Sequence, residues 1–169
     1  KIGDQPSKLA QILKDHGYKI KELQTGEISY RYDRISKEEL AKVTYLIFTS
    51  RYGVHGFMKQ MKSSNLDLRD LFDKKMVVVG KKTKDVLMQY GIIADLMPEE
   101  AGEINLSELM KQEVDAKDVV WYCKGISGGE KLKKALTPIC QVTEKVMYEN
   151  NRKILSEIPE MKDIRSVSF

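Results

Sequence analysis

Cysteine and histidine are scarce in this sequence. Only Cys123, Cys140 and two histidines occur among 169 residues, and the separation of the cysteines matches no common zinc-ligand spacing. We therefore expect two free, buried or half-buried thiols in a reducing cytoplasm, and no metal site. The sequence also lacks a run of about 18 apolar residues, so no contact with a membrane is expected.

Neither sign of charge predominates in the sequence. The 29 basic and 25 acidic side chains leave a net charge of +4, and the lysines are dispersed rather than gathered into a stripe with aromatic residues. Binding to nucleic acid is therefore not expected, whereas an acidic small molecule remains a reasonable partner. The segment VVVGKKTKDV has one glycine where a dinucleotide fingerprint needs three, and GISGGEKL does not complete a phosphate loop.

Short β-branched runs alternate with amphipathic segments along most of the chain. This alternation predicts βαβ units and a parallel sheet of flavodoxin type flanked by helices. The polar segment 18–32 reads as an edge or connecting strand. Five strands are predicted within the sheet, at 43–49, 76–79, 94–97, 119–123 and 142–148, and helices at 7–16, 36–41, 50–61, 82–90, 106–114 and 128–136.

Parallel sheets bind ligands beyond the carboxyl ends of their strands. Hydroxyl groups, glycines and free backbone N–H groups at these turns suit carboxylates. The predicted ligand-binding residues are Thr49, Ser50, Gly80, Thr83, Gly125, Ser127 and Gly128, with Lys82 and Lys124 as electrostatic candidates. The same residue types also serve as ordinary helix caps and turns, so these residues alone do not name a ligand.

The ordered segments LIFTSRYGVHGF, VVVGKKTKDVLMQYGIIADLMPEE, VVWYCKGISGGEKLKKAL and EKVMYEN resemble the uroporphyrinogen-III synthase family. The resemblance implies two similar α/β domains joined by two connector strands. Residues 32–147 would form one complete domain. Residues 1–31 would hold a fragment of the other domain with one connector, and residues 148–169 the return connector and the start of the absent remainder.

The resemblance also implies an activity, that of a hydro-lyase. The substrate would be hydroxymethylbilane, cyclised to uroporphyrinogen III with loss of water and inversion of ring D. Tyr148 matches the family's cleft tyrosine and would be the catalytic residue. We expect a cytoplasmic monomer that is inactive as this fragment. Two alternatives remain open: a non-catalytic flavodoxin-like module that binds an anion, or a domain fused to or associated with a uroporphyrinogen methyltransferase.

Overall fold

The structure, a computed structural model, describes residues 8–23 and 26–152. These residues form a sheet flanked by helices and one short 3₁₀ helix, Leu68–Leu71. The strands are β1 (Gly26–Tyr30), β2 (Tyr45–Phe48), β3 (Lys75–Val78), β4 (Val119–Gly125) and β5 (Gln141–Arg152). The helices are α1 (Lys8–Asp15), α2 (Lys37–Ala41), α3 (Arg51–Ser63), α4 (Lys81–Gln89), α5 (Glu103–Glu113) and α6 (Lys131–Leu136).

The strand order is β1-β5-β4-β2-β3. The last four strands in that order are parallel, with Phe48 of β2 between Val78 of β3 and Cys123 of β4. β1 runs antiparallel to β5, so the sheet is mixed and the prediction of five parallel strands is wrong. The five-stranded α/β architecture itself is confirmed.

Apolar side chains on both faces of the inner strands explain why these runs become central strands. Leu46 and Phe48 of β2 point into one core cluster with α3 and α4, whereas Tyr45 and Ile47 point into a second with α5 and α6. Successive strand residues face opposite sides, so a strand buried on both sides reads as a continuous apolar run. Cys123 and Cys140 are free and buried, as expected.

The predicted strand 94–97 is reduced to a single bridge between Leu96 and Val77. The Asp95 carboxylate accepts the Met76 N–H at 2.6 Å, so a side chain replaces the backbone partner that a ladder would supply. The predicted strand over 18–32 is likewise shorter, because β1 covers only Gly26–Tyr30. Its antiparallel pairing supplies the fifth strand in place of 94–97.

Helix boundaries differ from the predicted ones by a few residues at most positions. The largest differences at helix starts are three residues: α5 begins at Glu103 rather than at 106, and α6 begins at Lys131 rather than at Gly128, because residues 126–130 form a turn and a bend. The first residue of the predicted helix 7–16 lies outside the described residues. The described residues divide into two units: residues 30–149 form one, and residues 8–23, 26–29 and 150–152 belong to the other.

Candidate functional site

The carboxyl ends of the four parallel strands lie along one edge of the sheet. Beyond the register of Phe48, Val78 and Cys123, Gly125 at the end of β4 stands beside Tyr148 of β5. Neighbouring strands are about 4.8 Å apart, so this edge is roughly 14 Å wide from β5 to β3. The turns that follow β2, β3 and β4 open on it, and this edge is the candidate site.

The turn after β2 contains Thr49 and Ser50, both half-buried. Ser50 is the N-cap of α3, and its Oγ accepts the Gly53 N–H at 3.0 Å. A hydroxyl that accepts one bond keeps a proton to donate. A methyl group at Gly53 would meet the Cys123 carbonyl oxygen at 3.0 Å, so this turn packs directly against the end of β4.

Beneath the turn, Tyr122 of β4 joins the sheet to the α5 layer. Its hydroxyl is bonded to the Thr49 side chain and donates to Oε1 of Glu103 at 3.5 Å. The same carboxylate oxygen accepts the Leu132 N–H at 3.2 Å. Burial is the main cause that raises the pKa of Tyr122 to about 12. Tyr122 therefore stays protonated at neutral pH and links β4 to α5.

The turn after β3 presents fewer hydrogen-bond donors to the candidate site than its sequence predicts. Gly80 directly precedes α4, and a side chain there would meet the Ala101 methyl group at 2.9 Å. Thr83 is 4% exposed, and its N–H donates to the Gly80 carbonyl oxygen at 3.0 Å. Thr83 thus packs inside the first turn of α4 rather than standing on the open edge. Lys82 is exposed.

The turn after β4 is shaped by close contact with Tyr148. A Cβ at Gly125 would lie 2.7 Å from Cζ of the Tyr148 ring, so only glycine fits beside that ring. The Ile126 N–H donates to the Tyr148 carbonyl oxygen at 3.0 Å, and the Gly128 N–H donates to the Gly125 carbonyl oxygen at 2.9 Å. Ser127, at the tip of this turn, is exposed.

Lys124 stabilises the turn after β4 through hydrogen bonds of its buried amine. Its side chain is buried, and its Nζ donates to Glu144 Oε1 at 2.8 Å and to the Gly129 carbonyl oxygen at 3.2 Å. Lys133 contacts the other carboxylate oxygen of Glu144 at 3.0 Å. The hydrogen bond from Lys124 is the main cause that lowers the pKa of Glu144. Lys124 therefore positions the Gly125–Gly129 turn instead of presenting its charge at the edge.

Tyr148, the predicted catalytic residue, is half-buried among other tyrosines. Its ring lies 5.5 Å from that of Tyr52 in the first turn of α3. Tyr52, Tyr90 and Tyr148 all contribute to the raised pKa of Tyr30, after burial, which is the main cause. Tyrosines from β1, α3, β5 and the end of α4 thus gather beside the sheet edge.

His55 of α3 lies close to these tyrosines, although its position among the core-facing residues of a predicted helix indicates a structural role. Its Nδ1 lies 2.8 Å from the Tyr90 hydroxyl, and the two rings are 5.7 Å apart. Burial is the main cause that lowers the pKa of His55, and the positive charges of Lys59 and Arg51 lower it further. The imidazole is therefore neutral near pH 7.

The structure brings most of the predicted site residues to one edge. Thr49, Ser50, Gly80 and Gly125 lie directly at strand ends, and Ser127 and Gly128 lie in the adjoining turn, whereas the Thr83 side chain is turned inward. Sequence reasoning missed the group around α3. The sequence feature that could have revealed this group is the spacing of Arg51, Tyr52, His55 and Lys59 along one face of a helix that contains no acidic residue.

Within residues 8–23 and 26–152, no group of three or more His, Cys, Asp or Glu side chains is arranged to hold a metal ion. None of the helices in this part of the chain is long and apolar enough to cross a membrane.

The fold defines an α/β protein, and the carboxyl ends of its parallel strands form the candidate ligand site. The family model described as uroporphyrinogen-III synthase HemD matches residues 7–169. The chain therefore belongs to this family, as its motifs indicate.

Individual relatives agree with that assignment. The porphyrin biosynthesis protein HemD of Ruminiclostridium josui is 28% identical over 86 residues, which are 51% of this chain and 17% of that protein. A mutant uroporphyrinogen III synthase of the extremely thermophilic bacterium Thermus thermophilus superposes with a TM-score of 0.59 at 16% identity, over 85% of this chain and 57% of that one.

The uroporphyrinogen-III synthetase of Helicobacter pylori 26695 gives a TM-score of 0.57 at 22% identity, over 83% of this chain and 62% of that one. The two structural matches establish the fold. The chain spans less than two thirds of either solved protein.

Proposed function

We propose that the protein containing this chain is a uroporphyrinogen-III synthase, a hydro-lyase that closes hydroxymethylbilane into uroporphyrinogen III. The observation that carries the proposal is the family match over residues 7–169. The reaction removes the ring A hydroxyl as water and joins ring A to the substituted carbon of ring D through a spiro intermediate. Ring D is thereby inverted, and no cofactor takes part.

The substrate is a flexible polycarboxylate, and the sheet edge supplies what such a molecule needs. Hydroxyl and backbone N–H donors at helix starts bind carboxylates without requiring a compensating buried charge. In this proposal the carboxylates lie against Thr49, Ser50, Gly80, Gly125, Ser127 and Gly128. The inward orientation of Thr83 gives it a supporting role in the first turn of α4.

Catalysis is then mostly a matter of geometry. Spontaneous closure of the linear tetrapyrrole gives the isomer without inversion, so the enzyme must hold ring D where its substituted carbon reacts first. The departing hydroxyl needs a proton donor. Tyr148 is proposed for that role, because it is half-buried at the edge and its ring is held between Gly125 and Tyr52.

The chain is proposed to hold one whole domain of a two-domain enzyme. Residues 32–147 form that domain, while residues 1–31 and 148–169 supply the connectors and parts of the other domain. The coverage of 57% and 62% of the solved relatives supports this division. By itself the chain would lack half of the cleft and would be inactive. The complete enzyme is proposed to be a cytoplasmic monomer.

A fusion with, or association with, a uroporphyrinogen methyltransferase is the second candidate arrangement. The matched segment of 86 residues is only 17% of the Ruminiclostridium josui relative, so that protein has room for further domains. The gene that encodes this chain decides between a fused and a free synthase.

Product analysis tests the activity. The full-length protein is incubated with hydroxymethylbilane, and the oxidised products are separated by chromatography. We expect the type III isomer to predominate, against type I in a buffer control. A type I product at the uncatalysed rate would reject the synthase and leave a non-catalytic anion-binding module, which calorimetry with the tetrapyrrole, flavin and nucleotide would identify.

A further inference from the structure

The exposed face of α3 carries a group of aromatic and basic side chains that the sheet edge does not account for. Arg51, Tyr52, His55 and Lys59 follow one another at intervals of one to four residues, so they line one face of the helix. Val54, Phe57 and Met61 on the opposite face are buried in the core. We call the first four residues, with Tyr30 and Tyr90, the α3 face.

The rings and cations of the α3 face hold one another in place. The Arg51 guanidinium lies 4.9 Å from the centre of the Tyr52 ring, and its Nη2 donates to the Tyr52 hydroxyl at 3.1 Å. The Lys59 Nζ lies 4.2 Å from the centre of the Tyr30 ring. These contacts order the long basic side chains before any ligand arrives, which lowers the entropy cost of binding.

Among the residues that the structure describes, the cations of the α3 face have no acidic partner, although such partners are common for other lysines of the domain. Carboxylates contact the amines of Lys37, Lys74, Lys124, Lys133 and Lys145. Within the described part of the chain, no ion pair involves Arg51 or Lys59, and α3 contains no Asp or Glu. An unneutralised pair of cations on aromatic rings favours an anionic ligand that also has a flat ring.

We propose that the α3 face is a binding subsite for part of an acidic tetrapyrrole, with pyrrole rings against the tyrosines and carboxylates on Arg51 and Lys59. The identity of the tetrapyrrole as hydroxymethylbilane rests on the proposed function. The subsite extends the sheet edge through Tyr148, whose ring is 5.5 Å from that of Tyr52.

The spacing of the two cations determines which ligands fit. Lys59 lies eight positions after Arg51, which is a rise of about 12 Å along the helix axis between their backbones. Adjacent pyrroles carry several acidic side chains, so a tetrapyrrole can offer a separate carboxylate to each cation. We therefore expect a polycarboxylate of several rings to bind more tightly than a small anion such as phosphate.

His55 lies between Arg51 and Lys59 along α3, and Tyr90 contacts it from the C-terminal end of α4. The His55 Nδ1 lies 2.8 Å from the Tyr90 hydroxyl, and the tautomer of the imidazole determines which of the two groups donates the hydrogen bond. Because its pKa is lowered, the imidazole adds a neutral polar group to the α3 face. No carboxylate contributes to the shifted pKa of either residue.

The test compares charge removals on the same helix in the full-length protein. The double variant Arg51→Gln/Lys59→Gln removes both proposed carboxylate contacts. Lys62→Gln is the matched control, because Lys62 is exposed on α3 and makes no ring contact in the described structure. KM for hydroxymethylbilane is measured from type III product, and Kd for uroporphyrinogen III is measured by anaerobic calorimetry.

We expect the double variant to raise KM and Kd by about tenfold with a smaller change in kcat, as two partly exposed charge contacts are lost. The control should stay within about twofold, and the double variant should lose part of the dependence of KM on salt. A further variant, Tyr52→Leu, should raise KM by removing a ring, whereas Tyr52→Phe should raise it less.

The outcomes separate the subsite from the activity. A double variant that matches the control in KM and Kd overturns the subsite, while type III product from the unaltered protein still supports the synthase. A protein that makes no type III product but whose Kd rises in the double variant alone supports the subsite and rejects the synthase. If the unaltered protein binds no uroporphyrinogen III, the subsite is overturned as well.

Discussion

At the scale of the residue, Tyr148 is held on two sides within the inner strand β5, opposite the end of β4. Gly125 leaves room for its ring, and Tyr52 packs 5.5 Å away. We expect Tyr148→Phe in the full-length protein to lower kcat by about 10²-fold with little change in KM, because the ring stays and only the proton donor is lost. Tyr32→Phe is the control, since Tyr32 is 62% exposed. Equal kcat values for the two variants would remove Tyr148 from catalysis.

A separate prediction concerns Gly125, whose role is to leave room for the Tyr148 ring rather than to take part in the reaction. In Gly125→Ala the new methyl group would lie 2.7 Å from Cζ of Tyr148, so the ring or the turn must move. We expect unfolding free energy to fall by about 1–3 kcal/mol and the type III product to decrease. Ser127→Ala adds no bulk in the same turn, and its stability in a denaturant titration should equal that of the unaltered protein.

At the scale of the element, the turn between β4 and α6 depends on the buried amine of Lys124. Lys124→Met removes the bonds to Glu144 and to the Gly129 carbonyl oxygen. We expect a loss of about 1–3 kcal/mol, less than for a fully buried pair, because Glu144 is partly exposed and keeps Lys133. If the turn only needs packing, a double-mutant cycle with Glu144→Gln will show no coupling between the two residues.

The same pair predicts how stability depends on pH. The Lys124 hydrogen bond lowers the pKa of Glu144 from its usual 4.5 in the folded protein. Above pH 4.5 the carboxylate is charged in both states and the stabilisation is complete. As the pH falls, the unfolded chain takes up the proton first, so the stabilisation is lost as the pH drops through the folded value. The stability difference between the unaltered protein and Glu144→Gln should therefore shrink on acidification, and a constant difference from about pH 7 to about pH 3 would contradict this coupling.

At the scale of the whole molecule, residues 30–149 form a compact unit that contains both apolar clusters of the sheet. A separately expressed fragment of these residues should unfold in one cooperative thermal transition, because each helix layer has its own core against the sheet. The fragment should yield only type I product from hydroxymethylbilane, since the proposed cleft needs a second domain. Type III product from the fragment would show that one domain is sufficient.

Three of the four parallel strands, β2, β3 and β4, could be predicted from the sequence because continuous burial leaves a local apolar run. The runs around Leu46, Val77 and Trp121 are apolar at consecutive positions, which a strand buried on both faces requires. The helix starts at Ser36 and Ser50 followed from their capping chemistry. The order of the motifs also indicated the family, because each motif keeps its place relative to a strand end.

Other features were decided only by contacts between distant parts of the chain. These features are the antiparallel direction of β1, the single bridge at Leu96 with the Asp95 carboxylate on the Met76 N–H, and the burial of Lys124 on Glu144. All three depend on neighbours that are remote in sequence. The same holds for the α3 face, where Tyr30 and Tyr90 meet one helix from separate elements. A single sequence specifies which side chains can donate, stack or pair, whereas the pairing of strands and the packing of layers determine which of them meet.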